Sequence, residues 1–101
     1  MIVQRWEAPM TPSKIQIERL YLSEGLEIFE ELYQPGQPVI EHRHPFCEVR
    51  TIVYGELLFN IAGNQFLLRA GDRVEIPANT RHTHAAQGSS DCLCLVGYKA
   101  I

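Results

Sequence analysis

The chain has 101 residues, the commonest size of a single domain, so a second independent core is not expected. Apolar residues make up 46% and charged residues 21%, which excludes the composition of a disordered chain. The net charge is −3 and no run of Lys or Arg occurs, so neither nucleic acid nor an anionic membrane is expected as a partner. Small molecules remain the default class of ligand.

Two features of the chain bear on its location. Residues 1–9 lack the apolar core of a signal peptide, and no stretch approaches the length of a membrane span. The three cysteines are an odd number, which does not suit a disulfide framework and fits a reducing compartment. We therefore expect a cytoplasmic protein.

After an N-terminal arm of about residues 1–13, the sequence breaks into short segments of two-residue alternation separated by turn-forming residues. The predicted strands are Lys14–Leu20, Leu26–Tyr33, Val39–His44, Cys47–Tyr54, Glu56–Ile61, Gln65–Leu68, Arg73–Ile76, Thr80–Ala86 and Cys92–Tyr98. A helix over Ser23–Leu32 is the disfavoured alternative, because turn residues flank it, and Gly63-Asn64 predicts a tight hairpin. Since so many short strands cannot leave two long edges exposed, we expect a single all-β domain over residues 1–101, closed or double-sheeted like a jelly roll.

All four histidines occur in two His-x-His pairs, His42 with His44 and His82 with His84. Residues two apart on a strand point to the same face, so each pair presents two imidazoles to one space. Imidazole is a common ligand of transition metals, and a carboxylate often completes such a set. Glu48, four residues after His44, is the obvious candidate. Although a single histidine is more often a satisfied polar side chain, the grouping favours a metal site.

The spacing around these residues resembles the first conserved motif of the cupin superfamily. Gly36, five residues, His42-Arg43-His44, three residues, Glu48, six residues and Gly55 occupy every fixed position of that motif. A partial match to the second motif runs over residues 71–86 and places His82 where the family has a histidine. The resemblance implies a double-stranded β-helix that holds one divalent metal ion, zinc, iron, manganese or nickel, on His42, His44, Glu48 and His82.

The second motif departs from the family at two positions. Asn79 stands where the family usually has Gly, and because Asn tolerates the left-handed conformation, the turn from Pro77 to Thr80 should be preserved. Ala86 stands where the family usually has Asn. This change leaves the predicted ligands intact and makes the pocket beside them less polar, which weakens the transfer of any substrate from the family.

Strand parity adds candidate pocket residues. If Glu48 points inward, Arg50, Ile52 and Tyr54 do so as well, provided that no bulge intervenes. Arg50 either pairs with an anionic substrate, pairs with a glutamate of the Leu26–Tyr33 strand, or turns outward at a bulge. His84 shares a face with His82 and is a candidate pocket wall or acid/base. Cys92 and Cys94 lie in an apolar strand and are expected to be buried, inert thiols.

The leading functional hypothesis is a metal-dependent enzyme of the dioxygenase or isomerase type that acts on a small organic molecule, anionic or uncharged, with Arg50 and His84 as candidate catalytic residues. The alternatives are a non-catalytic, metal-supported binding or sensing module, and a stable dimer whose metal serves stability alone. A homodimer is expected, with Leu93, Leu95 and the Met1–Trp6 arm as candidate interface residues.

Overall fold

Eight β-strands and one α-helix make up the part of the chain that the structure describes. The structure is a computed structural model and describes residues 2–37 and 43–99. The elements in chain order are β1 (Ile2–Gln4), α1 (Lys14–Ser23), β2 (Phe29–Tyr33), β3 (Cys47–Tyr54), β4 (Leu57–Ile61), β5 (Asn64–Leu68), β6 (Arg73–Ile76), β7 (His82–Ala86) and β8 (Cys92–Lys99).

The strands form two antiparallel sheets. One has five strands in the order β1-β6-β3-β8-β2, and the other has three in the order β5-β4-β7. Neighbours in space are often distant in sequence, as in a jelly roll, where the chain crosses repeatedly between sheets. The all-β, single-domain prediction is confirmed.

The main core fills the space between the two sheets. Its buried members are Ile52, Leu57, Phe59, Ile61, Leu68, Val74, Ile76, Cys92, Cys94 and Val96. Along β3 the side chains alternate, so Glu48, Arg50 and Ile52 point into this space while Val49 and Thr51 point to the opposite side of the five-stranded sheet. The barrel interior is therefore mostly apolar, with polar side chains concentrated near the start of β3 and along β7.

The predicted strand Lys14–Leu20 is wrong, because this segment lies in helix α1. Ser13 begins the helix with a capping box: its hydroxyl accepts from the Gln16 backbone N–H, and the Gln16 side chain accepts from the Ser13 N–H. Ile17 and Tyr21, four residues apart on one helical face, pack against the outer face of the five-stranded sheet. No helix among the described residues has the length and apolar character needed to cross a membrane.

Most of the other predicted strands are confirmed. Cys47–Tyr54 and Arg73–Ile76 have the predicted bounds, and Leu26–Tyr33 is shortened to Phe29–Tyr33. The hairpin between β4 and β5 forms one residue earlier than predicted, with Ala62 (φ 50°) and Gly63 (φ 82°) as its central residues. The N-terminal arm contains an unpredicted strand, β1, which pairs with β6.

One predicted strand can be followed only at its end. Residues 38–42 lie outside the described residues, and they include most of the predicted strand Val39–His44. Its last two residues, Arg43 and His44, are not in a strand.

Candidate metal centre

Three of the four predicted metal ligands lie together at one end of the barrel interior. Glu48 Oε1 is 3.4 Å from His44 Nε2 and 3.9 Å from His82 Nε2. One ligand atom from each residue lies within 4.8 Å of the other two, so the group could hold a single ion. The fourth, His42, lies outside the described residues, and its role stays a prediction.

The two sheets supply ligands from opposite sides of the interior. Glu48 is the second residue of β3 in the five-stranded sheet, and His82 is the first residue of β7 in the three-stranded sheet. His44 lies in the segment before β3, and its carbonyl oxygen accepts a hydrogen bond of 2.5 Å from the backbone N–H of Asn79. Asn79 has φ 59°, which confirms the left-handed turn predicted for it. This turn ties the two motif segments together beside the site.

The His82 ring is oriented for metal binding. Its Nδ1 lies 2.9 Å from the carbonyl oxygen of Thr80, and because a carbonyl only accepts, Nδ1 carries the proton. Nε2, which faces Glu48, is then the nitrogen with a lone pair. Burial lowers the pKa of His82, which favours the neutral imidazole that a metal requires.

The chemistry of the donor set fits a divalent transition metal. Glu48 is 1% exposed, and its Oε1 accepts no hydrogen bond from any residue within 2–37 and 43–99. Burying a carboxylate oxygen without a hydrogen-bond donor costs several kcal/mol of folding free energy. An adjacent cation would offset a cost of that order. Imidazole nitrogens with a carboxylate suit zinc, iron, manganese or nickel, so a metal ion is supported and its identity is left open.

Arg50 is buried in the interior and forms internal ion pairs. Its Nε donates to Glu48 Oε2 at 3.2 Å, and its NH1 lies 2.7 Å from Glu31 Oε1 and 3.1 Å from the Tyr33 hydroxyl. Burial alone would lower the pKa of Arg50, but the nearby anionic groups, Glu48 foremost, raise it well above its usual value. Of the alternatives that the sequence left open, the structure has the pairing with a glutamate of the Leu26–Tyr33 strand.

His84 lines the same interior and lies beside Tyr33, a residue that was not predicted for the site. Its Nε2 is 2.7 Å from the Tyr33 hydroxyl, and its ring stacks on Phe59 at 5.2 Å between centroids. Tyr33 also lies 2.5 Å from Glu31 Oε1; since an ionised carboxylate only accepts, the hydroxyl donates there and accepts from His84 Nε2–H. Tyr33 is two residues from Glu31 on the same strand, so strand parity is the signal that could have found it.

The burial of residues on β3 and β8 near the site follows the predictions except at Tyr54. Ile52 is buried as expected, but Tyr54 is 48% exposed, so its predicted inward position is wrong. The physical reason is a register shift between Ile52 and Tyr54 in the pairing with β8, the bulge that the parity argument had to exclude. Cys92 and Cys94 are buried thiols as predicted, with their sulfur atoms 3.9 Å apart.

Aromatic side chains surround the more exposed side of the centre. The His44 side chain is 29% exposed, and its ring stacks on Phe46 with centroids 5.2 Å apart. Phe46 contacts Tyr98 at 4.5 Å, and Tyr98 contacts Phe29 at 5.7 Å. Two clefts, of about 550 and 650 Å³, lie elsewhere, where the N-terminal arm crosses the barrel, and neither is lined by the three grouped ligands.

The chain belongs to the cupin family, because the family model for the cupin domain matches residues 29–98. The expected double-stranded β-helix is therefore the family fold, and solved structures with this fold match the chain. No curated protein matches it by sequence.

Three of the matching solved structures illustrate the likeness. A DMSP lyase from Ruegeria pomeroyi DSS-3 is 25% identical, with a TM-score of 0.68 over 74% of this chain and 38% of that one. A predicted oxalate decarboxylase from Thermotoga maritima is 20% identical, with a TM-score of 0.68 over 82% and 74% of the two chains. A cupin protein from Bacteroides fragilis is 24% identical, with a TM-score of 0.63 over 74% and 66%. The chain thus spans well under half of the DMSP lyase, and the other two likenesses show the fold alone.

Proposed function

We propose that this protein is a metal-dependent enzyme in which His42, His44, Glu48 and His82 hold one divalent transition metal. The observation that carries the proposal is the buried Glu48 carboxylate, whose Oε1 lies within 3.9 Å of two imidazole nitrogens and lacks a hydrogen-bond donor among the described residues. The bound ion would act as a Lewis acid or as a carrier of oxygen chemistry, which suits an isomerase or a dioxygenase.

The surroundings of the centre indicate a small organic substrate. The DMSP lyase, which is 25% identical, is named for a small organic molecule, and we carry over only that breadth of class. On this chain, Phe46 and Tyr98 offer flat apolar surface beside His44, the most exposed of the three grouped ligands. His84 would form the opposite wall, held in orientation by the Tyr33 hydroxyl.

Arg50 bears on the charge of the substrate. Its side chain is 2% exposed and is paired with Glu48 and Glu31, so a substrate anion would have to displace one of these carboxylates. We therefore no longer assign Arg50 to substrate binding, and an anionic substrate would depend on the metal for its recognition. The catalytic role of His84 remains part of the proposal.

The test begins with the metal. An anomalous scattering scan on protein purified without a tag or added metal should identify the native ion. Oxygen uptake and isomerase activity are then measured for the metal-loaded protein across a panel of keto acids and sugars, with Glu48→Gln as the inactive reference. Absence of any bound metal would overturn the proposal. Tight metal retention with no turnover of any substrate would replace it with the binding or sensing module.

A cytoplasmic location and a homodimer remain proposals. Leu95 is no longer a candidate for the interface, since it is fully buried against Ile17 and Tyr21 of the chain's own helix. Ile2 and Trp6 of the arm are 56% and 43% exposed and remain candidates. Sedimentation velocity at high micromolar concentration should give a dimer, and a monomer at that concentration would dismiss the proposal.

A further inference from the structure

We propose that Arg50 is a positioning residue for Glu48: its guanidinium holds Oε2 and leaves Oε1 as the oxygen offered to the metal. Glu31 and Tyr33, both on β2, fix Arg50 for this role. The inference rests on the proposed function because it concerns the same centre, and it adds a dependence of that centre on the edge strand β2, whose residues the cupin motifs do not include.

The two oxygens of Glu48 have different surroundings. Oε2 accepts a hydrogen bond from Arg50 Nε at 3.2 Å, whereas Oε1 faces His44 Nε2 at 3.4 Å and His82 Nε2 at 3.9 Å. A carboxylate with both oxygens available can bind one ion through either or both of them. Here one oxygen is engaged by a charge-assisted hydrogen bond, so the carboxylate is oriented before any ion arrives.

The NH1 nitrogen of Arg50 also has polar partners, both of them on β2. NH1 lies 2.7 Å from Glu31 Oε1 and 3.1 Å from the Tyr33 hydroxyl, and the Tyr33 ring lies 5.6 Å from the guanidinium carbon. Glu31 and Tyr33 are two residues apart on β2 and therefore point to the same side of the sheet. Because a guanidinium is planar and rigid, fixing NH1 also fixes the direction of Nε.

The sharing of Arg50 between two carboxylates affects how strongly Glu48 can bind a metal ion. One guanidinium is shared between two carboxylates, Glu48 and Glu31, so Arg50 does not neutralise Glu48 completely. Glu48 keeps enough negative charge to serve as a metal ligand. If Glu31 lost its charge, Arg50 would interact with Glu48 alone and compete more strongly with the ion for that carboxylate.

Three variants test this arrangement with Co²⁺ as the probe. Arg50→Lys keeps a positive charge in the interior but replaces the planar fork, whose Nε and NH1 reach Glu48 and Glu31 separately, with donors on a single nitrogen. Glu31→Gln removes the anion at the far end of Arg50. Glu30→Gln is the matched control, since Glu30 is the neighbouring residue on the same strand and instead pairs with Lys14 of the helix. Circular dichroism and thermal unfolding establish that each variant is folded.

Chelator competition gives the Co²⁺ affinity of each protein, and the visible absorption bands of bound Co²⁺ report its ligand set. We expect Arg50→Lys to bind Co²⁺ roughly 10–100-fold more weakly, as is typical when a metal ligand loses its supporting partner, and to show altered bands. Glu31→Gln should weaken Co²⁺ binding and alter the absorption bands in the same direction, by a smaller amount. Glu30→Gln should match the original chain in affinity and in bands.

The outcomes separate the two proposals. If the original chain binds Co²⁺ and Arg50→Lys has the same affinity and the same bands, the role of Arg50 is overturned and the metal site stands. Equal effects of Glu31→Gln and Glu30→Gln would overturn the part assigned to β2. If the original chain takes up no Co²⁺, the proposed function fails, and this inference fails with it.

Discussion

Glu48 is the most buried acidic member of the candidate metal centre. It is 1% exposed and stands between two imidazoles on one side and a guanidinium on the other. Desolvation of a carboxylate is expensive; Arg50 compensates Oε2, and a cation on the other side would compensate Oε1. The placement is thus explained most simply by an ion held with His44 and His82.

Glu48→Gln should therefore lose Zn²⁺ binding by more than the roughly 10–100-fold that follows loss of an outer partner, because it removes the one charged ligand of the described set. Isothermal titration with Zn²⁺ measures the change. Glu75→Gln is the control, since Glu75 is paired with Lys99 and lies in register with Val49 on the other face of the sheet. Equal Zn²⁺ affinity in Glu48→Gln and the original chain would contradict the assignment.

Asn79 shows how a backbone conformation supports the site. Its φ of 59° directs its N–H to the carbonyl oxygen of His44, and this conformation costs a residue with a Cβ about 1–2 kcal/mol, less for Asn. Asn79→Gly should leave the stability unchanged or slightly higher, whereas Asn79→Ala should lower the free energy of unfolding by about 1 kcal/mol. Urea unfolding measures the free energy of unfolding of Asn79→Gly and Asn79→Ala. Equal stability of the two variants would show that φ at this position carries no strain.

Helix α1 is held by its first turn and by one buried face. Ile17 and Tyr21 pack on Val49 and Leu95, and the Tyr21 hydroxyl lies 2.7 Å from the Thr51 hydroxyl and donates to the Leu95 carbonyl. Burial raises the pKa of Tyr21 to about 12, so the hydroxyl keeps its proton at all physiological pH values. The helix is part of the cooperative core because it covers Leu95 of a central strand.

Ser13→Ala should consequently lower the stability of the whole domain. Loss of the N-cap leaves helix N–H groups without their acceptor and costs about 1 kcal/mol. Because the helix packs on the sheet, the loss should appear in the global urea midpoint with an unchanged slope. Ser89→Ala, in an exposed loop, provides the comparison. If both variants unfold at the same midpoint as the original chain, the helix is not coupled to the barrel.

The N-terminal arm is attached to the barrel through Asp72. This side chain is 5% exposed and accepts hydrogen bonds from the backbone N–H groups of Trp6 and Arg69 and from the Arg5 guanidinium. Burial alone would raise the pKa of Asp72, and these donors outweigh it and hold the pKa below the ordinary 3.8. The arm is thus attached through an ionised carboxylate.

This attachment predicts an acid-sensitive contribution to stability. Since the pKa of Asp72 is lower in the folded than in the unfolded chain, its contribution is fully present above about pH 4 and is lost as the pH falls through the folded-state value. Asp72→Asn should be less stable by about 1–3 kcal/mol at pH 7, and the difference from the original chain should shrink below pH 4. Chemical unfolding at pH 7, 4 and 3 measures the stability difference between Asp72→Asn and the original chain. A difference that is constant with pH would rule out the ionised carboxylate as the cause.

The local sequence determined most strands and three clustered members of the candidate site. Two-residue alternation sets which face each side chain occupies, and turn residues set where strands end, so Cys47–Tyr54 and Arg73–Ile76 could be predicted with their bounds. The spacing of Glu48 from His44 and the position of His82 likewise follow from the chain itself, with Asn79 in the predicted left-handed turn.

Long-range packing decided the remainder. Lys14–Leu20 alternates like a strand, yet it forms a helix, which the local Ser13–Gln16 capping box begins and which packs through Ile17 and Tyr21 on Val49 and Leu95. The bulge after Ile52, which turns Tyr54 outward, arises from pairing with β8, a partner distant in sequence. The pairing of Arg50 with Glu31 and Tyr33 also required β2 to lie beside β8 in the five-stranded sheet, because local periodicity fixes the direction of a side chain but not the partner that it meets.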